Sequence, residues 1–122
     1  MGRKTFESLP GILPNRKHVI ITRDKSYSVD NSNVEVIHSL SQVINKYKNS
    51  SETAFIIGGG EIYAQLIHNV DNLLLTKVFK SFDGDTSFPQ IDLNEFAVDF
   101  ESEILTCEKN GLQYQFIDLV RK

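Results

Sequence analysis

The chain has 122 residues, is 40% hydrophobic and 24% charged, and carries a net charge of −3. That is the composition of one soluble globular domain, and 1–122 is expected to form a single one. With no block of like charges, a nucleic acid or a membrane surface held by bulk electrostatics is excluded as the expected partner.

The elements follow in chain order. Arg3–Leu9 (RKTFESL) is a candidate short helix, ended by the turn-rich LPGILPN. HVIIT (18–22) is a short β-branched run, the pattern of a strand buried on both faces. Residues 23–33 are a polar loop, and VEVI (34–37) is a short strand. Ser39 is placed to cap a helix to about Lys48, with Leu40, Val43, Ile44 and Tyr47 on one face. AFII (54–57) is a further buried-strand candidate, and a helix from Gly60 or Glu61 to about His68 follows. LLLTKVF (73–79) is a strand and FDGDTSFP (82–89) a loop. FAVDFESEIL (96–105) and LQYQFIDLV (112–120) alternate with period two and form a hairpin across EKNG, with Asn110-Gly111 as its turn. The expected fold is α/β, a mostly parallel sheet with an antiparallel carboxyl-terminal hairpin.

Cys107 is the single cysteine. It forms no internal disulfide and suits a reducing, cytoplasmic setting. No apolar run approaches the ~18 residues of a membrane span, and no metal site is expected.

Ligands of such sheets lie beyond the carboxyl ends of the strands. Thr22–Arg23 and Gly58–Gly60 are both such corners. Helix N-termini offer unpaired N–H donors, and glycines let a phosphate approach them without a Cβ in the way. The triplet is neither the dinucleotide fingerprint, since Tyr63 stands where its third glycine would fall, nor a P-loop. A close-packed strand-to-helix turn explains it equally well at this level. Arg3, Lys4, Arg16, Lys17 and Arg23 are the nearby cations, each equally readable as a solvated surface charge.

Taken together, MGRKTFESLPGILPNRKHVIITR, FIIGGGEIY and FDGDTSFP resemble three ordered blocks of the dihydrofolate reductase family. The resemblance runs over essentially the whole chain. It implies the dihydrofolate-reductase-like fold, NADPH as cofactor, and reduction of 7,8-dihydrofolate to tetrahydrofolate by hydride transfer, with antifolates as further small-molecule ligands. By the same resemblance Gly2, Arg3, Lys4 and Thr5 meet the cofactor phosphates. Thr22 and Arg23 meet the adenosine 2′-phosphate, with Arg3 sharing that charge, and His38 and Ser39 the adenine side. Gly58, Gly59, Gly60, Glu61, Ile62 and Tyr63 form the diphosphate and nicotinamide loop, with a cis Gly58–Gly59 peptide. Glu61 departs from relatives with a basic residue there. For substrate, Arg16 grips the carboxylate of the glutamate tail. Ser8, Leu9 and Leu13 wall the pterin and benzoyl groups, Ile57 lies beside the pterin, and Thr76 steadies the catalytic acid. Asp85 supports a mobile loop.

The same resemblance covers only the carboxyl two-thirds of the family. The amino-terminal strand, the loop with a Pro-Trp pair and the helix bearing the catalytic acid have no counterpart here. A truncated chain is therefore expected, with no catalytic residue assigned, a monomer when complete and prone to dimerise or aggregate when not. General acid catalysis contributes about 10²–10⁴-fold. The alternative is thus an NADPH-binding fragment without turnover. A pyrimidine reductase of riboflavin synthesis is a weaker option, opposed by GRKTFES and GDTSFP.

Overall fold

The computed structural model describes residues 1–80 and 88–122, which divide into two compact units, Met1–Asn69 and Val70–Lys122. Most of the FDGDTSFP segment, including Asp85, lies outside the described residues.

The first unit contains α1 (Arg3–Ser8), β1 (His18–Ile21), β2 (Val34–Ile37), α2 (Leu40–Tyr47) and α3 (Gly60–Leu66). β1 and β2 pair in parallel, from His18 opposite Val34 to Ile21 opposite Ile37. Their β-branched side chains supply the core: Ile20 and Ile37 are buried, joined by Leu66 and Ile67 at the end of α3. Met1 and Gly2 run alongside β1. Ile21 N–H donates to Met1 O at 2.9 Å, and Gly2 forms a parallel bridge with Ile21. α2 starts where its cap residue dictates: the Ser39 hydroxyl accepts the Gln42 N–H at 3.2 Å. Leu40, Val43, Ile44 and Tyr47 are its half-buried face, as the 3.6-residue period requires.

One expected element does not form. Ala54–Ile57 carries no ladder, and Phe55 is 70% exposed. A strand exists only through a partner's backbone groups, and among the described residues no strand flanks this segment. Apolar content alone cannot supply that pairing.

The second unit is an antiparallel sheet of β3 (Asn72–Val78), β4 (Phe96–Glu101), β5 (Leu105–Thr106) and β6 (Gln113–Arg121). β6 is central, with β3 on one side and β4 and β5 on the other. Leu73, Phe96 and Leu119 are its buried residues. The Arg121 guanidinium lies 4.7 Å from the Phe96 ring centre. The hairpin turns where expected. Gly111 has φ +70°, open to glycine at no steric cost. The Asn110 side-chain oxygen accepts the Leu112 N–H at 3.0 Å. The strand expected over 96–105 is interrupted, however. Its register shifts between Val98 and Phe100, and beyond β4 the Ser102 hydroxyl, not a strand carbonyl, accepts the Phe116 N–H at 2.9 Å.

The α/β class holds, with parallel and antiparallel parts. The parallel share is smaller than expected, because Ala54–Ile57 is unpaired and β3 joins the antiparallel ladder. Among the described residues no helix is long and apolar enough to cross a membrane, and no cluster of metal-ligating side chains occurs.

Phe96 is 1% exposed. Phe96→Ala is expected to lower the unfolding free energy by about 3–5 kcal/mol, read from urea denaturation. A loss below about 0.5 kcal/mol, the range of ordinary surface changes, would contradict its place in the core.

Candidate functional site

The site is organised by a seam between two chain segments. Gly2 N–H donates to Gly58 O at 2.9 Å. The bond sits immediately before both short helices, since Gly2 is the N-cap of α1 and Gly59 the N-cap of α3. Neither helix has a side-chain cap, so first-turn N–H groups remain open to another acceptor. The Gly58–Gly59 peptide is cis, as expected.

The glycines are closely surrounded. Gly58 has φ +114°, and a Cβ there would meet the Tyr63 ring at 3.4 Å. A Cβ on Gly59 would lie 3.5 Å from Thr5 Oγ1, and one on Gly2 3.6 Å from Ile62 Cγ1. These are ordinary contact distances, so the positive φ of Gly58, rather than lack of space, is what calls for glycine in this turn. Gly2, Thr5, Gly58, Gly59, Ile62 and Tyr63 are brought together as expected. Glu61 is exposed in the first turn of α3, and its carboxylate accepts the Gln65 amide at 3.3 Å.

A second cluster stands at the end of β1. Thr22 N–H donates to Ile37 O at 3.0 Å, and His38 Nδ1 is 2.9 Å from Thr22 O, which fixes the corner against the end of β2. Arg3 reaches this corner from α1. Its Nε donates to Glu7 at 3.0 Å and its Nη1 to Asp24 at 3.3 Å, and its guanidinium lies 4.6 Å from the Tyr27 ring centre. The Glu7 bond first, with the charges of Glu7 and Asp24, raises the Arg3 pKa. Asp24 is held below its ordinary value, chiefly by the Ser26 hydroxyl and N–H at 2.6 and 3.0 Å, then by the Arg3 charge. Arg23 and Lys4 are exposed and make no ion pair among the described residues. Nothing in the sequence marks Asp24 and Tyr27 as neighbours of Arg3. Glu7, one helical turn on, carries the i,i+4 signal.

Beside His38 lies an open hollow of about 550 Å³ lined by Glu35, Ile37, His38, Gln42, Asn45 and Lys46 among others. Ser39 adjoins it as the cap of α2. Gln42, Asn45 and Lys46 were not expected here; their helical spacing on the polar face of α2 is the signal for them. Glu35 is gripped by Lys17 and Lys46, each at 2.6 Å.

The expected substrate residues fall into separate places. Leu9 and Leu13 are half-buried and Ser8 is exposed, its hydroxyl donating to Thr5 O at 2.6 Å. Arg16 is exposed, with Nε on the Pro14 carbonyl at 3.1 Å and no ion pair among the described residues. Ile57 is exposed next to the glycines. Thr76 belongs to the second unit, on β3 opposite Phe116.

Two outcomes are expected here. Gly58→Ala forces a side chain into a positive-φ position against Tyr63, and is expected to destabilise the protein by about 1–2 kcal/mol in chemical denaturation; an unchanged midpoint would contradict the geometry. Glu35 is held below its ordinary value by hydrogen bonds from Lys17, then Lys46. A carboxylate depressed in the folded state adds stability above its unfolded pKa, and that stability is lost as pH falls through the folded value. The three side chains are a third to a half exposed, so Glu35→Gln is expected to cost no more than about 1 kcal/mol near neutral pH. The deficit should vanish in acid; one that persists there would have another origin.

Comparison with known proteins agrees with this architecture. The family model described as dihydrofolate reductase matches residues 1–121. Dihydrofolate reductase from Staphylococcus aureus is 38% identical over 122 residues, covering 100% of this chain and 73% of that protein. Dihydrofolate reductase type 1 from Escherichia coli is 41% identical over 107 residues, covering 85% of this chain and 67% of that protein. In three dimensions the chain is similar to dihydrofolate reductase from Enterococcus faecalis complexed with NADP(H) and RAB-propyl, with a TM-score of 0.85 and 29% identity over 99% of this chain and 71% of that one. A family match across nearly the whole chain, on a fold that joins the MGRKT and GGG segments, establishes that the chain belongs to the dihydrofolate reductase family.

Proposed function

We propose that this chain binds NADPH and reduces 7,8-dihydrofolate to 5,6,7,8-tetrahydrofolate, acting as one dihydrofolate-reductase-like domain over 1–122. The observation that carries this reading is the bare seam at Gly2, Gly58 and Gly59 within a family match that spans both units. The relative from Enterococcus faecalis, complexed with NADP(H), supports the cofactor.

Bare backbone at Gly2, Gly58 and Gly59 suits a diphosphate, and first-turn N–H groups of α1 and α3 with the Thr5 hydroxyl supply donors. When bound, the nicotinamide supplies a hydride. The chain's own residues bind and orient. Gly60, Glu61, Ile62 and Tyr63 line the nicotinamide side, and Lys4 adds charge near the phosphates. Thr22, Arg23 and Arg3 hold the 2′-phosphate, and His38 and Ser39 flank the adenine at the hollow along α2. Arg16 takes the substrate carboxylate, with Ser8, Leu9, Leu13 and Ile57 around the ring system.

The two arginines are not equivalent. Arg3 already shares its guanidinium between Glu7 and Asp24, whereas Arg23 has no carboxylate partner among the described residues. A phosphate therefore gains more from Arg23. Arg23→Ala is expected to weaken NADPH about tenfold, the scale of one charge-assisted bond, and to leave NADH nearly unchanged. Equal losses for both cofactors would contradict the assignment.

A second reading, cofactor binding without turnover, is favoured by one observation. Glu7 and Asp24, the carboxylates beside the cofactor corner, both bind Arg3, and Asp24 is held in its ionised form. Neither is placed to deliver a proton. NADPH oxidation on addition of dihydrofolate, followed by absorbance, decides between them. Turnover supports the reductase, NADPH binding without turnover supports the second reading, and the absence of both contradicts each.

A further inference from the structure

His18 is a histidine where an aliphatic residue would pack. It is the first residue of β1, paired with Val34, and its N–H donates to Asn33 O at 2.7 Å. The side chain is 2% exposed. Its ring stands edge-on to Phe6 of α1, with centres 6.2 Å apart and planes at 79°. Nε2 accepts the Leu13 N–H at 3.1 Å. An acceptor nitrogen must keep its lone pair, so the ring proton sits on Nδ1. That Nδ1 is buried with no hydrogen-bond partner among the described residues.

A buried, unpartnered N–H is unfavourable. The arrangement is intelligible only if the other nitrogen does something an aliphatic side chain could not. What it does is fasten the middle of the loop between α1 and β1. That loop contains Pro10 and Pro14, which have no N–H, and Asn15 at φ +59°. It makes no strand ladder, so the bond from Leu13 to His18 anchors it to the buried frame. Leu13 and Arg16, both assigned to the substrate, lie on this loop.

We infer that His18 is a positioning residue for substrate: through Nε2 it holds Leu13, and with it the turn that presents Arg16 to a folate-type carboxylate. This rests on the dihydrofolate reading above. His18 is buried, and its side-chain hydrogen bond goes to Leu13 rather than to Gly2, Gly58 or Gly59, so its loss is expected to act on substrate rather than on cofactor.

The test compares His18→Leu, which keeps the packing and removes the acceptor, with His18→Gln, which restores an acceptor at similar reach. Folate and NADPH affinities are measured by fluorescence titration, and amide exchange at Leu13 by NMR. His18→Leu is expected to weaken folate about threefold to tenfold, the scale of one lost hydrogen bond, with NADPH unchanged and Leu13 exchanging freely. His18→Gln is expected to recover both folate affinity and Leu13 protection. The inference is overturned if His18→Leu binds folate like the wild type, loses folate and NADPH in parallel, or is not rescued by His18→Gln. A wild-type chain that binds NADPH but no folate overturns the dihydrofolate reading itself, and this inference with it.

Discussion

The hydrogen bond from Gly2 N–H to Gly58 O holds the candidate site together. It ties the segment running along β1 to the turn that opens α3, at a place where three glycines leave the backbone bare. Tyr63, Thr5 and Ile62 stand 3.4–3.6 Å from where Cβ atoms would lie, at ordinary contact distance. The close approach is therefore first one of the protein to itself. Two helix starts with backbone N–H groups and no side-chain cap meet there, an arrangement that favours an anion.

Charge around this seam is arranged with economy. Net charge is slightly negative, yet cations collect at the β1 corner and in the loop before it. Arg3 is restrained by Glu7, Asp24 and the face of Tyr27, so it is oriented but partly neutralised. Arg23 and Arg16 have no such partners among the described residues. A restrained arginine costs little to order, and a free one offers its full charge to a ligand. The corner contains one of each.

What was legible in the sequence was local. Ser39 caps α2 with its own hydroxyl, and Asn110-Gly111 turns the hairpin with its own side-chain oxygen and a positive φ; both need nothing distant. What failed depended on partners elsewhere. Ala54–Ile57 has the composition of a strand, but no flanking strand among the described residues pairs with it. Ser102 looks like one polar residue in an alternating run until its hydroxyl takes the Phe116 N–H. The motif blocks marked Gly2, Thr5 and Gly58–Tyr63, which the fold brings together, whereas the pairing of Arg3 with Asp24 spans α1, the loop after it and β1, a separation that no periodicity describes. His18 stood in a short apolar run and carried no sign that one of its nitrogens holds Leu13.

The measurement that bears most directly on this account is a structure of the chain with NADP(H) bound. The account predicts the diphosphate against the Gly58–Gly60 turn and the Thr5 hydroxyl, with the 2′-phosphate at Arg23. A cofactor bound elsewhere, or a Gly2–Gly58 seam that opens to admit it, would contradict the claim that the seam is the preformed binding surface.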